Sequence, residues 1–355
     1  MDAEGYRSLI AGERRGAVAG LARAGLSAAA VPYGLAVQLR NRGYDASWLR
    51  SVRAGVPVVS VGNLTLGGTG KTPLVEYLAR WMADRGVRVV ILSRGYGSAP
   101  GGKSDEARVL EQNLPGVPHL LGGDRVALAE QAVRELGAEL LVLDDGFQHR
   151  RLARDLDVVV LDALDPFGLE RLFPRGMLRE PVRSLERADL VVLSRSDLVT
   201  EERREEIRRE VERWAGEKPW IETRHAARSL RSAGGVEEAV DLLGRERVAA
   251  FCGIGNPGGF SATLEQVGCM PVAFRVFPDH YAYREADVAE LGRWAAAARA
   301  ELVVTTQKDL VKLELDELGG RPLWALKIAL EITSGEAELA AQLETLLSAA
   351  GRSAA

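Results

Sequence analysis

The chain has 355 residues, 46 Lys and Arg against 50 Asp and Glu, and a formal net charge of −4. That balance argues against a general nucleic-acid binder, which carries a basic excess, and the length suits two domains. Two cysteines make neither a disulfide framework nor a four-cysteine metal site, and they fit a reducing compartment.

Residues 1–15 mix acids and bases and lack the basic start, apolar block and cleavage site of a secretory leader, so none is expected. Residues 24–39 (AGLSAAAVPYGLAVQL) form a long uncharged run, interrupted by Pro32 and Gly34 and bracketed by Arg14, Arg15, Arg23, Arg40 and Arg42. It falls short of the roughly 20 apolar residues of a membrane span. Two readings stand: an amphipathic segment in a bilayer interface with guanidiniums near lipid phosphates, or a helix packed on the domain.

From Val56 onward short β-branched runs alternate with helical stretches. Strands are expected at 56–61, 87–93, 140–145, 156–162 and 189–195, each nearly all apolar and so covered on both faces. Leu74, Tyr77, Leu78 and Trp81 mark a helix between the first two, and residues 200–217 form a charged helix with a solvated face. The second part has strands at 248–254, 271–277, 302–306 and 323–328, with helices at 260–267, 285–300 and 336–349. This pattern predicts an α/β fold: a P-loop NTPase-like, mostly parallel sheet with helices on both faces, plus a smaller α/β domain. The expected division is a helical, membrane-associating segment (1–45), a nucleotide-binding core (46–218) and a C-terminal domain (219–355).

The first strand runs into TLGGTGKT, that is Thr65, Leu66, Gly67, Gly68, Thr69, Gly70, Lys71 and Thr72, and a helix follows. The glycines let backbone N–H groups converge on phosphate oxygens at a helix N-terminus; Lys71 reaches the β- and γ-phosphates and Thr72 binds Mg²⁺. Thr65 stands where the general pattern has glycine. Asp144 and Asp145 end an apolar strand, where such carboxylates hold Mg²⁺ or its water, although Asp145-Gly146 is also good turn chemistry. A phosphate loop names no reaction. DLVVLSRSDLV is reminiscent of the guanine-reading element of GTPases, with Asp197 in place, but Ser194 and Arg195 depart from it; a GTPase or metallochaperone-type switch is the alternative.

VSVGNLTLGGTGKTPLVEYL, VVILSRGYG, LVLDDGFQHRRLARDLDVVVLDA, LFPRGMLREP, AFCGIGNPGGFSATLEQVG, FPDHYAY and VVTTQKDLVK occur in this order. Over residues 6–330 the chain resembles the tetraacyldisaccharide 4′-kinase family, whose loop also begins with threonine. The resemblance implies ATP as phosphoryl donor with Mg²⁺, and the 4′-hydroxyl of a tetraacylated glucosamine disaccharide 1-phosphate as acceptor, giving lipid IVA. It also implies a peripheral protein on the cytoplasmic face of the inner membrane, which favours the interfacial reading of residues 24–39.

The family pairs an aspartate with a histidine as the base. The resemblance places these at Asp105, although Ser104 replaces the usual glycine, and at His280, across a cleft between the two domains. Asp105 and Glu106 also read as solvated acids of a loop or helix start, and Asp279 as either an orienting neighbour or a turn residue. Gln148 and His149 match substrate-side positions; Arg125 suits a substrate phosphate. Arg179 and Glu180 match an Arg-Glu pair, Arg179 for nucleotide phosphates and Glu180 for Mg²⁺, or form a surface ion pair. Arg94 and Tyr96 contact the sugar or shape a turn. Lys308 and Asp309 are structural or hinge positions, and His119 and His225 are structural.

Overall fold

In the computed structural model, residues 3–95 and 104–349 are described. The chain opens with helices α1 (Ala3–Ala11) and α2 (Ala17–Asp45), then β1 (Val58–Gly62), α3 (Lys71–Ala83) and β2 (Val89–Ser93). Next come α4 (Asp105–Asn113), β3 (His119–Leu121), α5 (Arg125–Leu136), β4 (Leu140–Asp144), β5 (Leu156–Asp162) and β6 (Leu190–Ser194). They are followed by α6 (Glu201–Ala215), β7 (Trp220–Arg231), β8 (Glu237–Glu238), β9 (Val248–Cys252) and α7 (Pro257–Gln266). The last are β10 (Ala273–Val276), α8 (Glu285–Ala297), β11 (Leu302–Thr306), α9 (Gln307–Leu313), β12 (Leu323–Ser334) and α10 (Glu336–Ala349).

These fall into two compact units that are not contiguous in sequence. The first holds residues 1–94, 117–224 and 332–355; the second holds 95–116 and 225–331. Two elements therefore lie elsewhere than expected. Helix α4 belongs to the second unit rather than the nucleotide-binding core, and α10 belongs to the first rather than the C-terminal domain.

In the first unit the strands follow the order β7-β6-β5-β1-β4-β2-β3, every neighbour parallel. Val58, Val90, Leu92, Leu141 and Leu143 pack with Val126, Ala129 and Ala132 of α5. The alternating residues Val59, Val61, Val89, Ile91 and Val142 are equally buried, and α3 lies against β1, β2 and β4. Covering both faces is why these strands read as unbroken apolar runs. Chain order reverses around β1, which makes its C-terminal end a switch point where open α/β sheets take ligands.

The second unit carries the parallel order β10-β9-β11-β12. Phe251, Val303, Leu310 and Leu323 make one of its cores with Leu291 and Ala295 of α8. Helix α4 packs on α9 here, burying Ala107, Val109 and Leu110. Asn113 of α4 and Gln307 of α9 exchange two side-chain hydrogen bonds, at 3.0 and 3.3 Å.

The uncharged N-terminal run is one helix, α2, continuing through Pro32 and Gly34. One side is fastened to the first unit: the Tyr33 hydroxyl donates to the Arg179 carbonyl at 2.9 Å, and Arg150 donates to the Asn41 carbonyl at 3.0 Å. Gly34 packs closely there: a Cβ would come 2.9 Å from the end of the Leu172 side chain, which would have to shift. Val18, Leu21, Val31, Leu35 and Leu39 on the same helix are exposed. Among the described residues no helix is long and apolar enough to cross a membrane.

Candidate active site

In the first unit, β1 delivers the chain into the loop 63–70 and α3 starts at Lys71. Gly67 (φ 111°) and Gly70 (φ 89°) hold the left-handed conformations that turn the backbone inward. The loop is held from outside. The Leu66 amide donates to the Met177 carbonyl at 2.8 Å and the Arg179 amide to the Leu64 carbonyl at 2.7 Å. The Ser194 hydroxyl donates to the Thr69 carbonyl at 2.7 Å, and Arg195 donates to the Gly68 carbonyl at 2.6 Å while pairing with Asp162. With these carbonyls tied back, the remaining amides of a strand–loop–helix turn can converge on an anion. Ser194 and Arg195 thus brace the phosphate loop, and this explains their departure from the guanine-reading pattern.

Lys71 and Arg179 both meet Asp145. Lys71 Nζ is 3.3 Å from Asp145 Oδ1, and an Arg179 nitrogen is 2.9 Å from both carboxylate oxygens. Burial alone would raise the Asp145 pKa, but the two cations win and hold it at about 2. Burial lowers the Lys71 pKa, against the pull of Asp145. Arg179 also reaches Gln148 Oε1 at 3.4 Å, and Gln148 donates to the Asn63 carbonyl at 2.9 Å. The DDGFQH turn is in turn clasped by Arg154, which donates to the Gly146 carbonyl at 2.7 Å and the Phe147 carbonyl at 3.2 Å.

The donors suit Mg²⁺, a hard cation that takes oxygen ligands and keeps company with nucleotide phosphates. Thr72 stands at the second position of α3, and Asp144 ends β4 in register with Val61 of β1. Asp145 and Glu180, also expected in the metal set, are engaged by cationic side chains. Both Asp145 oxygens face Arg179 and Lys71. Glu180 is fully buried, its oxygens accepting from Arg40 at 2.7 Å, Asn41 at 2.9 Å and Arg187 at 2.9 Å. It ties α2 to the core, and Arg40 points inward to it rather than to a lipid phosphate.

On the expected substrate side, Arg125 is the first residue of α5, deeply buried, with no partner for its Nε. Burial lowers its pKa, and the charges of Asp145, Arg94 and Asp144 act on it. His149 Nε2 is likewise buried without a partner. Burial, with Arg125 and Arg154 nearby, drops the His149 pKa to about 4, so the imidazole is neutral at pH 7. Arg94 follows β2; Tyr96 lies outside the described residues.

The expected base lies wholly in the second unit. Ser104 caps α4, its hydroxyl accepting from the Ala107 amide, which gives the serine at this position a job of its own. Asp105 and Glu106 occupy the first turn, where carboxylates suit the helix dipole. His280 Nδ1 is 3.3 Å from Asp105 Oδ2, and Nε2 is 3.8 Å from Glu106 Oε1. The hydrogen bond to Asp105 raises the His280 pKa, against burial. Asp279 is the turn residue, its Oδ1 accepting from the His280 amide at 3.1 Å. Lys308 donates to Glu106 at 2.7 Å. The two residues meet within one unit, so no movement between domains is needed to pair them.

A family model described as tetraacyldisaccharide-1-P 4′-kinase matches residues 22–348. This chain belongs to that family. The Anaeromyxobacter sp. (strain K) tetraacyldisaccharide 4′-kinase is 45% identical, covering 95% of this chain and 94% of the relative. The Syntrophus aciditrophicus (strain SB) tetraacyldisaccharide 4′-kinase is 40% identical, over 84% and 87%. Among solved structures, LpxK from Aquifex aeolicus, crystallised in complex with ATP, is 30% identical with a TM-score of 0.71, over 91% of this chain and 99% of that one. For a tetraacyldisaccharide 4′-kinase, Ser194 and Arg195 stood out in the sequence only as departures from a guanine-reading element, and Arg154 had no role assigned. Their partners here, the carbonyls of Gly68, Thr69, Gly146 and Phe147, are backbone groups that no local sequence pattern names.

Proposed function

We propose that this chain transfers the γ-phosphoryl group of ATP to the 4′-hydroxyl of a tetraacylated glucosamine disaccharide 1-phosphate, giving lipid IVA in lipid A biosynthesis. The observation that carries this is a braced phosphate loop with Lys71 and Arg179 gathered on Asp145, in a chain of this family. The amides of residues 67–70 with Lys71, Thr72 and Arg179 bind the triphosphate. Thr72 and Asp144 hold Mg²⁺, which when bound offsets charge on the β- and γ-phosphates. Arg94, Arg125, Gln148 and His149 address the acceptor, the two buried and unpartnered nitrogens of Arg125 and His149 being suited to an anion and a hydroxyl. Asp105 takes the acceptor hydroxyl's proton as the oxygen attacks phosphorus, and His280 orients Asp105.

In this reading the protein works peripherally at the cytoplasmic face of the inner membrane, with no nucleic-acid partner. The exposed apolar residues of α2 support it, since such a face gains by entering a lipid interface. No observation favours the nucleotide switch, because Ser194 and Arg195 serve the phosphate loop.

The test is phosphate transfer from γ-labelled ATP to the tetraacyl disaccharide in liposomes. Folded protein that binds ATP without labelling the lipid refutes the assignment. Asp105→Ala is expected to slow turnover while ATP affinity stays near wild type. Replacing Leu21, Leu35 and Leu39 by serine should reduce co-sedimentation with vesicles and leave ATP binding intact; undiminished vesicle binding rejects the interfacial role.

A further inference from the structure

Helix α9 begins directly after β11, with Thr306 as its N-cap, and brings Lys308, Asp309 and Lys312 into less than two turns. Asp309 is fully buried, and an isolated charge there is costly. Its carboxylate is met on every side: Oδ2 accepts from the Gly253 amide at 3.0 Å and the Thr306 hydroxyl at 2.7 Å. Oδ1 accepts from the Tyr283 hydroxyl at 3.0 Å and lies 2.9 Å from Lys312 Nζ. Three of these groups are neutral donors, enough to hold the carboxylate in place without the lysine.

The lysine has a second neighbour. Its Nζ, shielded from solvent and 5.2 Å from the Tyr283 ring centroid, stands 3.9 Å from Asp105 Oδ2. That oxygen is the one His280 Nδ1 approaches at 3.3 Å. Asp309, Lys312, Asp105 and His280 thus form one line of alternating charge and hydrogen bonding, all within the second unit.

We propose that Lys312 is a positioning residue for phosphoryl transfer: seated on buried Asp309, its ammonium fixes the Asp105 carboxylate beside His280. This rests on the reading of Asp105 as the base. Lys312 and His280 both address Oδ2, and the hydroxyl proton goes to Oδ1. Lys308 acts in parallel on the neighbouring carboxylate, holding Glu106. The TTQKDLVK segment, absorbed by no other part of the mechanism, acquires a role in keeping the base aimed.

The test uses the purified full-length chain with Lys312→Met, the double variant Asp309→Asn/Lys312→Met, and Asp105→Asn alongside. The double variant removes the buried charge together with its counter-ion, so it folds even where the single variant does not. Expected for the lysine variants is a fall in kcat of about 10²-fold, the scale of a misaimed reacting group. The KM for ATP is unchanged, with kcat counted per ATP-binding site so that lost folded protein does not contribute. A double variant with wild-type kcat overturns the proposal, since Lys312 then only offsets Asp309. Asp105→Asn separates the two readings. If it is inactive while the double variant is fully active, Lys312 alone is rejected; if it keeps wild-type turnover, the base itself is wrong.

Discussion

At the residue scale the site is a set of opposite charges arranged before any ligand arrives. Lys71 sits on Asp145 until a triphosphate competes for it. Lys71→Ala is expected to lower kcat about 10²–10³-fold, the usual loss when one group that stabilises transition-state charge is removed, measured by single-turnover transfer. The His280 pKa is raised chiefly by its bond to Asp105. Asp105→Asn should therefore bring the imidazole back toward about 6.5, the ordinary value, followed by NMR titration of the ring; an unmoved midpoint breaks the pairing. A raised histidine pKa adds stability below its unfolded value, and this contribution is lost as pH rises through the folded value. Asp145 has the opposite sign. Held at about 2, it adds stability above about 4, the ordinary carboxylate range, and loses it as pH falls through its folded value. Asp145→Asn should make acid unfolding between those limits less steep.

At the element scale, what was legible in the sequence is what local pattern encodes. The strands β1, β2, β4, β5 and β6 are apolar on both faces and so visible as runs. Strand β7 was not visible, because WIETRHAARSLR places charged and apolar residues in no continuous run and is only partly buried. Helix α4 was masked by the acids of DEARVLEQN, and its attachment to α9 depends on Asn113 and Gln307, far apart in sequence. The phosphate loop was readable residue by residue. The pairing of Asp105 with His280 came only from the family resemblance, since nothing local links residues 175 positions apart. The tie from Glu180 to α2 was not legible, because its partners Arg40 and Asn41 lie some 140 residues upstream. Glu180→Ala leaves two arginines facing a buried gap. It should cost about 3–5 kcal/mol, the penalty for breaking a buried ion pair, read by denaturant unfolding, and should leave the Mg²⁺ dependence of ATP binding unchanged.

At the scale of the whole molecule, the chain passes from one unit to the other four times. Sequence position is therefore a poor guide to membership, and a cut at residue 219 does not isolate the second unit. A fragment of residues 219–355 lacks α4, whose Ala107, Val109 and Leu110 are buried in the unit that α9 belongs to. Such a fragment is expected to be poorly dispersed by NMR, and adding residues 95–116 in trans should improve it. A well-folded fragment without α4 contradicts this division.

The salt bridges of Asp145 carry one more implication. With Lys71 and Arg179 already sharing a carboxylate, an incoming polyphosphate displaces a resident rival instead of entering a vacant cationic seat, and affinity is moderated accordingly. Neutralising that rival should tighten the grip on ADP as well as ATP, so Asp145→Asn is expected to trade turnover for sluggish product escape. An enzyme that must let go of spent nucleotide once per lipid gains from keeping its own competitor in the chair.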